Sequence, residues 1–225
     1  MEVKKALFDM GSNKAPGPDG VCTGFYQRCW SKIGRSLVKW VQEIFRRKEL
    51  PPGVNSVLIS LIPKVKSPEV VEHLRSISLC NVNYKVVTKV IVNRLRPLLN
   101  ELVGPEQASF ISWRQSCDNV IIIQELLHIM RKMKGKNGAM IIKIDLEKAY
   151  DRVMWDFLHQ TLEWASIPHE LIKLIMNCVQ VEATAILWNG EKSESFVPSK
   201  GLRQGGPFSP YLFVLCMECL SHLIL

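Results

Sequence analysis

Ala139-Met-Ile-Ile-Lys-Ile-Asp145-Leu-Glu-Lys-Ala-Tyr150-Asp151 is the stretch whose reading decides the fold. Its first half is apolar except for Lys143, a run that predicts a buried strand over 139–145 ending in an acid. An unpaired carboxylate is costly to bury, so Asp145 needs a cation, a hydrogen-bond network or a metal as its partner. Taken alone, such a residue is more often an exposed strand-end Asp or a cap for the following turn. The longer segment shifts that balance, because the aromatic Tyr150 follows five positions on. This is the arrangement expected where a metal ion meets a nucleoside triphosphate beside its sugar.

A second constellation lies at Gly201-Leu-Arg-Gln-Gly-Gly-Pro-Phe-Ser-Pro-Tyr-Leu-Phe213. Glycines 201, 205 and 206 let backbone approach a ligand closely. Gln204 adds a side-chain amide. Ser209 and Pro210 stand where an N-cap and a first helical residue belong, and a helix N-terminus favours negative charge. Alone, this is a hairpin-to-helix connection.

Outward from these two segments, apolar spacing predicts a helix over 25–47 through Phe25, Cys29, Ile33, Leu37, Val41 and Ile44, ended by Pro51-Pro52-Gly53. The β-rich run 57–62 stops at Pro63, and with 77–79 it predicts a hairpin. Residues 84–102 read as an amphipathic helix with a basic outer face. Asp118 is a good N-cap for a helix running to about Met133, before Gly135 and Gly138. Helices follow over 153–164 and 169–179, separated by Pro168. Runs at 185–188 and 195–197 flank Asn189-Gly190, a strong hairpin-turn signal. A largely apolar helix closes the chain over 211–225. This order of helices and short hairpins predicts a mixed α+β fold with no linker dividing it.

Composition bounds the function. The chain has 225 residues, 47% hydrophobic and 22% charged, which excludes a disordered class. Its longest apolar stretches, such as 120–123 and 211–217, are far below the roughly 20 residues that cross a bilayer. Met1 leads straight into Glu2, Lys4 and Lys5 with no apolar leader, so an intracellular protein of nucleus or cytoplasm is expected, not a secreted one. Seven scattered cysteines suit reduced thiols. Cys216 and Cys219 have Cys-x-x-Cys spacing but no second ligand pair, and the histidines at 73, 128, 159, 169 and 222 lack ligand spacing. A net charge of +8 and a pI near 9.2 favour a polyanionic partner, nucleic acid first. The cations gather at Arg46-Arg47-Lys48, at Lys64 and Lys66, over 85–96 and over 131–136. Such runs are ordinarily solvated faces unless the fold aligns them along one groove.

Taken together, these segments resemble the reverse transcriptases of non-long-terminal-repeat retrotransposons, the LINE-type elements abundant in plants. Asn13-Lys-Ala-Pro-Gly-Pro-Asp-Gly20 with Phe25-Tyr26 resembles an N-terminal motif of this group. Leu61-Ile-Pro-Lys64 and Arg75-Ser-Ile-Ser-Leu-Cys-Asn81 resemble its two fingers strands. Asn93-Arg-Leu95 and Gln107-Ala-Ser-Phe110 resemble the segments that follow, and Lys143 to Asp151 and Gly201 to Phe213 its two palm motifs. The resemblance implies a right-hand polymerase fold: mainly fingers over 1–138, palm over 139–155, a connection over 156–198 and palm again over 199–225. It makes Asp145 the first catalytic, metal-binding aspartate, with the Leu146 carbonyl as a further ligand. Tyr150 becomes the aromatic under the incoming sugar and Arg75 the arginine that grips the triphosphate. Lys64 becomes the other basic contact, and Gln204 with Gly205 lies near the nucleotide and template. Glu147, Lys148 and Asp151 become structural or surface residues. The implied chemistry is nucleotidyl transfer by two Mg²⁺ ions on an RNA template and DNA primer with deoxynucleoside triphosphates. No membrane and no protein partner are implied.

The chain also departs from that pattern. The family's aromatic-Ala-Asp-Asp hairpin occurs nowhere before Leu225, and one Asp is not a site for two ions. The expectation is a fragment with half an active site, without chemistry of its own. The alternatives are a nucleic-acid-binding remnant or a polymerase completed by a second chain. The same expectation extends to the lack of an endonuclease region before Met1 and of a thumb after the palm. Gly206 stands where Asp is common, Phe208 where Leu is, Ser76 where Pro is, and Trp113 where Gly is. A Trp in a turn needing positive φ would be strained. The helix over 211–225 should leave an apolar face uncovered, predicting poor solubility.

Overall fold

The computed structural model describes residues 1–134 and 138–224; Gly135, Lys136 and Leu225, which enter the expectations above, lie outside them. Three helices open the chain: α1 (Glu2–Phe8), α2 (Thr23–Arg28) and α3 (Trp30–Arg47). Where periodicity predicts one helix over 25–47 there are two, because Cys29 leaves the helical region at φ −88°, ψ 8°. Leu37, Val41 and Ile44 are buried as their spacing predicts, but Phe25, beyond the break, is exposed. The break changes the face presented, which spacing alone does not register.

Strand β1 (Val57–Pro63) pairs antiparallel with β2 (Leu74–Cys80), Val57 opposite Cys80 and Pro63 opposite Leu74, so the predicted hairpin forms with a longer second strand. Helix α4 (Val82–Leu95) ends at Leu95, short of the predicted 102, and the backbone turns helical again at α5 (Leu99–Leu102). Pro97 between them has no N–H to continue the ladder. The predicted basic outer face of this region is corrected: α4 is buried on nearly every side. Tyr84, Val87 and Ile91 lie in the core, and Lys85 is buried with its Nζ donating to the Ala15 carbonyl at 2.9 Å. A helix enclosed all round needs no polar stripe.

Helix α6 (Ser116–Lys132) starts two residues before the predicted cap, so Asp118 sits in its first turn. None of its residues is buried. Residues 138–148 form no strand, against the prediction for 139–145, and Met140, Ile142 and Ile144 are exposed. A strand exists by hydrogen-bonding a neighbour, and this segment has none among the described residues. A short turn of helix, α7 (Ala149–Arg152), precedes α8 (Trp155–Trp164) and α9 (His169–Val179).

Strand β3 (Thr184–Trp188) runs parallel to β1, Val57 opposite Thr184, and gives a four-stranded mixed sheet ordered β2-β1-β3-β4. Asn189 and Gly190, at φ 50° and 87°, make the predicted tight turn. The return strand is β4 (Glu191–Lys192), not 195–197; Phe196 reaches Thr184 only through an isolated bridge. In α10 (Ser209–Ile224) Ser209 is the first helical residue and not the cap, and its Oγ is buried without a partner. The predicted bare face of this helix is found only towards its end. Leu212, Val214, Leu215 and Cys216 are buried, with α8 packed against the helix, while Leu220, Leu223 and Ile224 are exposed. Further exposed apolar surface lies on α6 and over 140–146.

The result is a mixed α+β fold on a small mixed sheet. Its cysteines are free thiols. No helix among the described residues is long and apolar enough to cross a membrane.

Candidate functional site

The two segments that open the sequence argument meet in space. Leu202 N–H donates to the Tyr150 carbonyl at 2.7 Å and Gly201 N–H to that of Val153 at 2.8 Å. Trp155 Nε1 returns a bond to the Gly201 carbonyl at 3.0 Å. Gly201 sits at φ 101°, and a Cβ there would press within 3.1 Å of the Asp151 carbonyl, so glycine serves both the turn and the approach. The loop then passes under β2, where Ser78 N–H donates to the Gln204 carbonyl at 2.9 Å. Gly205 follows at φ 94°.

Side chains converge around this junction. Arg75 of β2, Tyr150 of α7, Gln204 and Gly205 line one cavity of about 680 Å³. Arg75, Tyr150 and Gln204 also line a neighbouring cavity of about 290 Å³, together with Lys64. Four of the sequence-predicted positions are therefore brought together directly, and Lys64 joins through the smaller cavity. The Tyr150 ring is fixed by stacking on Phe213, 4.8 Å between centres and 20° between planes. Burial raises its phenol above the usual value, so it stays neutral near pH 7. Lys64 Nζ donates to the Glu72 carbonyl at 3.0 Å, and Gln204 Nε2 reaches Asp151 Oδ1 at 3.5 Å.

The larger cavity is cationic. Lys14, Arg75, Lys85, Lys89 and Arg203 line it against a single carboxylate, Asp9. Such a wall attracts polyanions. Burial lowers the Lys85 pKa below the ordinary lysine value. Lys14 belongs to the N-terminal motif, which is held against the start of α4: Asp19 N–H donates to Asn81 Oδ1 at 3.2 Å, and a Cβ on Gly17 would overlap the backbone of Cys80 and Asn81. Arg203 is buried, its carbon 4.2 Å from the centre of the Tyr84 ring, with Nη2 donating to Asn55. The basic run over 85–96 flagged two of these cations. Lys14 and Arg203 lie within the motifs, but nothing in their spacing says which way they face.

Asp145 and Leu146 stand apart. Both are exposed, and neither lines either cavity. Glu147 is paired with Arg152 at 3.0 Å. Among the described residues no three His, Cys, Asp or Glu side chains gather as metal ligands. The donor set does not fit a two-ion centre. Elsewhere, Trp113 and Phe110 adopt φ 69° and 63°, so the turn does require the left-handed region where the sequence has a Trp.

Residues 62–225 match the family model described as reverse transcriptase (RNA-dependent DNA polymerase). The chain is 32% identical over 217 residues to the "Transposon TX1 uncharacterized 149 kDa protein" of Xenopus laevis, covering 96% of this chain and 16% of that protein. It is 26% identical over 208 residues to the "Retrovirus-related Pol polyprotein from type-2 retrotransposable element R2DM" of Drosophila melanogaster, covering 92% of this chain and 19% of that protein. A 161-residue match at 28% identity, 70% of this chain and 17% of the relative, links it to the "Probable RNA-directed DNA polymerase from transposon BS", also from Drosophila melanogaster. The chain thus spans less than a fifth of each of these relatives. With most of its length matched in this way, the chain belongs to the reverse transcriptase family, of the kind carried by non-long-terminal-repeat retrotransposons.

Proposed function

We propose that this chain is the nucleotide- and template-gripping part of an RNA-directed DNA polymerase, with fingers over 1–138 and palm over 139–155 and 199–225. The observation that carries the reading is the convergence of Arg75, Tyr150 and Gln204 on one cationic cavity. Arg75 presents a planar fork suited to phosphate oxygens. Lys64 adds a second cation at the smaller cavity. Tyr150, held by Phe213, supplies a flat neutral face for a sugar, and a 2′-hydroxyl would crowd it. Gln204 with Gly205 offers an amide and an approachable backbone to the base.

The family generally uses divalent metal ions, and the resemblance points to Mg²⁺ with Asp145 and the Leu146 carbonyl as ligands. Among the described residues no group of three or more His, Cys, Asp or Glu side chains gathers to complete such a site. The reading that follows is grip without turnover by this chain alone. Primer extension on an RNA template with Mg²⁺ and deoxynucleotides, run beside Asp145→Ala, tests it together with primer–template binding across salt. Expected are no extension by either protein and binding that falls steeply with salt. Extension lost in Asp145→Ala would overturn the non-catalytic reading; absence of binding would overturn the grip.

A further inference from the structure

A third cavity, of about 600 Å³, shares no lining residue with the two described above. Trp113 forms one wall, with Lys5, Arg96, Asn93, Asn100 and Ser112 around it and no carboxylate. Trp113 is 97% exposed. An indole left in water forfeits the burial that normally stabilises so large a side chain. Its backbone is at φ 69°, a conformation that opposes a bulky residue. Both costs fall on the same residue.

The loop that carries it is firmly held. The next residue, Arg114, donates to the carbonyls of Gly104, Gln107 at 3.0 Å, Val103 at 2.9 Å and Asn100 at 3.4 Å. Phe110 meets Tyr211 edge-on at 6.4 Å, tying the loop to α10. The indole is therefore presented on a fixed frame. Asn93 lines the same cavity, and its Nδ2 is buried beneath the surface with no hydrogen-bond partner.

We propose that this cavity holds an unpaired nucleotide of a single-stranded nucleic acid. The Trp113 indole stacks on the base, Asn100 and Ser112 meet its polar edge, and Arg96 and Lys5 take the flanking phosphates. Stacking platforms beside cations are the usual means of holding single strands without sequence preference. The proposal does not depend on the polymerase reading, because the residues are separate.

The test is fluorescence anisotropy of labelled, unstructured 12-nucleotide RNA and DNA strands, with variants of both cavities. Trp113→Ala should weaken binding about tenfold and Trp113→Phe distinctly less, since a ring remains to stack. Arg96→Gln should weaken it and lower the salt slope by about 0.7, the loss of one phosphate contact. Trp113→Gly relieves the positive φ, so it should match Trp113→Ala in binding while melting no lower than the unchanged chain. Photo-crosslinking of a 4-thiouridine strand should label the tryptic peptide of residues 95–114. RNA and DNA binding equally identifies the base and phosphate as the ligand; a preference identifies the sugar as read too. Failure of the unchanged chain to bind, unaltered binding in Trp113→Ala, or crosslinks confined to other peptides would overturn the proposal. So would variants that changed only association between copies of the chain. Arg75→Ala separates the two readings, since it should leave this single-strand crosslink in place.

Discussion

The guanidinium of Arg203 lies over the ring of Tyr84, 4.2 Å from its centre, one residue before Gln204. Its Nη2 donates to the Asn55 carbonyl at 3.2 Å and to the Asn55 side-chain oxygen, while Nε and Nη1 are buried without partners. Asn55 in turn donates to the carbonyls of Asn177 and Gln180 at 2.8 and 2.6 Å. The loop bearing Gln204 is thus anchored through a buried cation to the end of α9. Burial holds the Tyr84 phenol well above its usual pKa, so the ring faces Arg203 in its neutral form.

Removing this anchor separates packing from charge. Arg203→Ala strips the stack and leaves the Asn55 oxygen unpaired, a loss of about 2–3 kcal/mol in unfolding free energy. Arg203→Met leaves the same Asn55 oxygen unpaired but keeps side-chain packing on Tyr84 and removes a buried charge, so it should lose about 1 kcal/mol less than Arg203→Ala. Urea unfolding of the two variants checks the order. Equal losses would mean that the guanidinium's charge and hydrogen bonds, not the packing, hold the loop.

Gly17→Ala and Gly20→Ala should differ sharply. A Cβ at Gly17 would overlap backbone of Cys80 and Asn81, which cannot swing away as a side chain does. Overpacking of this kind costs about 1–3 kcal/mol or more. Gly20 has open space around its Cβ position at φ 70°, so only the conformational cost of about 1 kcal/mol applies. Thermal melts of both variants provide the comparison.

Thiol chemistry should follow burial. Cys22 and Cys117 are exposed and should react with an aromatic disulfide reagent within minutes at pH 8. Cys178 and Cys216, both pushed up to about 12 by burial, should react only on unfolding. The sign for stability is fixed by the same shift. Above pH 9 the unfolded chain releases the Cys178 proton and the folded chain keeps it, so stability falls as pH rises from 9 towards 12. From pH 8 to pH 10 this one group should cost about 1 kcal/mol, a loss absent in Cys178→Ala and read from urea midpoints.

The exposed apolar surface on α6 and over 140–146 should drive self-association. Ile121, Ile122, Ile142 and Ile144 are all more than half exposed, and large exposed apolar surface marks association or aggregation. Sedimentation velocity should show concentration-dependent oligomers that Ile122→Lys with Ile142→Lys reduces. A monodisperse monomer of the unchanged chain would contradict this.

Local signals made much of the fold legible. Leu37, Val41 and Ile44 carry the α3 stripe, Pro63 closes β1, and Asn189-Gly190 turns the β3–β4 hairpin, because each depends on neighbours a few residues away. The family was also readable, through the order of short motifs, and Arg75, Tyr150 and Gln204, which those motifs single out, line one cavity. The failures share one cause. Whether 139–145 is a strand depends on a hydrogen-bonding neighbour, and whether α4 needs a polar face depends on what surrounds it. Neither is a property of the segment itself. The parallel pairing of β1 with β3 joins Val57 to Thr184 across most of the chain, with no local mark in either strand. Arg203 likewise became an anchor only when Asn55 and Tyr84 were brought beneath it. The sequence by itself determined the helices, turns and motif residues, whose causes lie within a few positions along the chain. Tertiary structure alone decided which faces are buried, which carboxylates stand apart and which cations share a cavity, because burial and charge proximity are set by atoms distant in sequence and near in space.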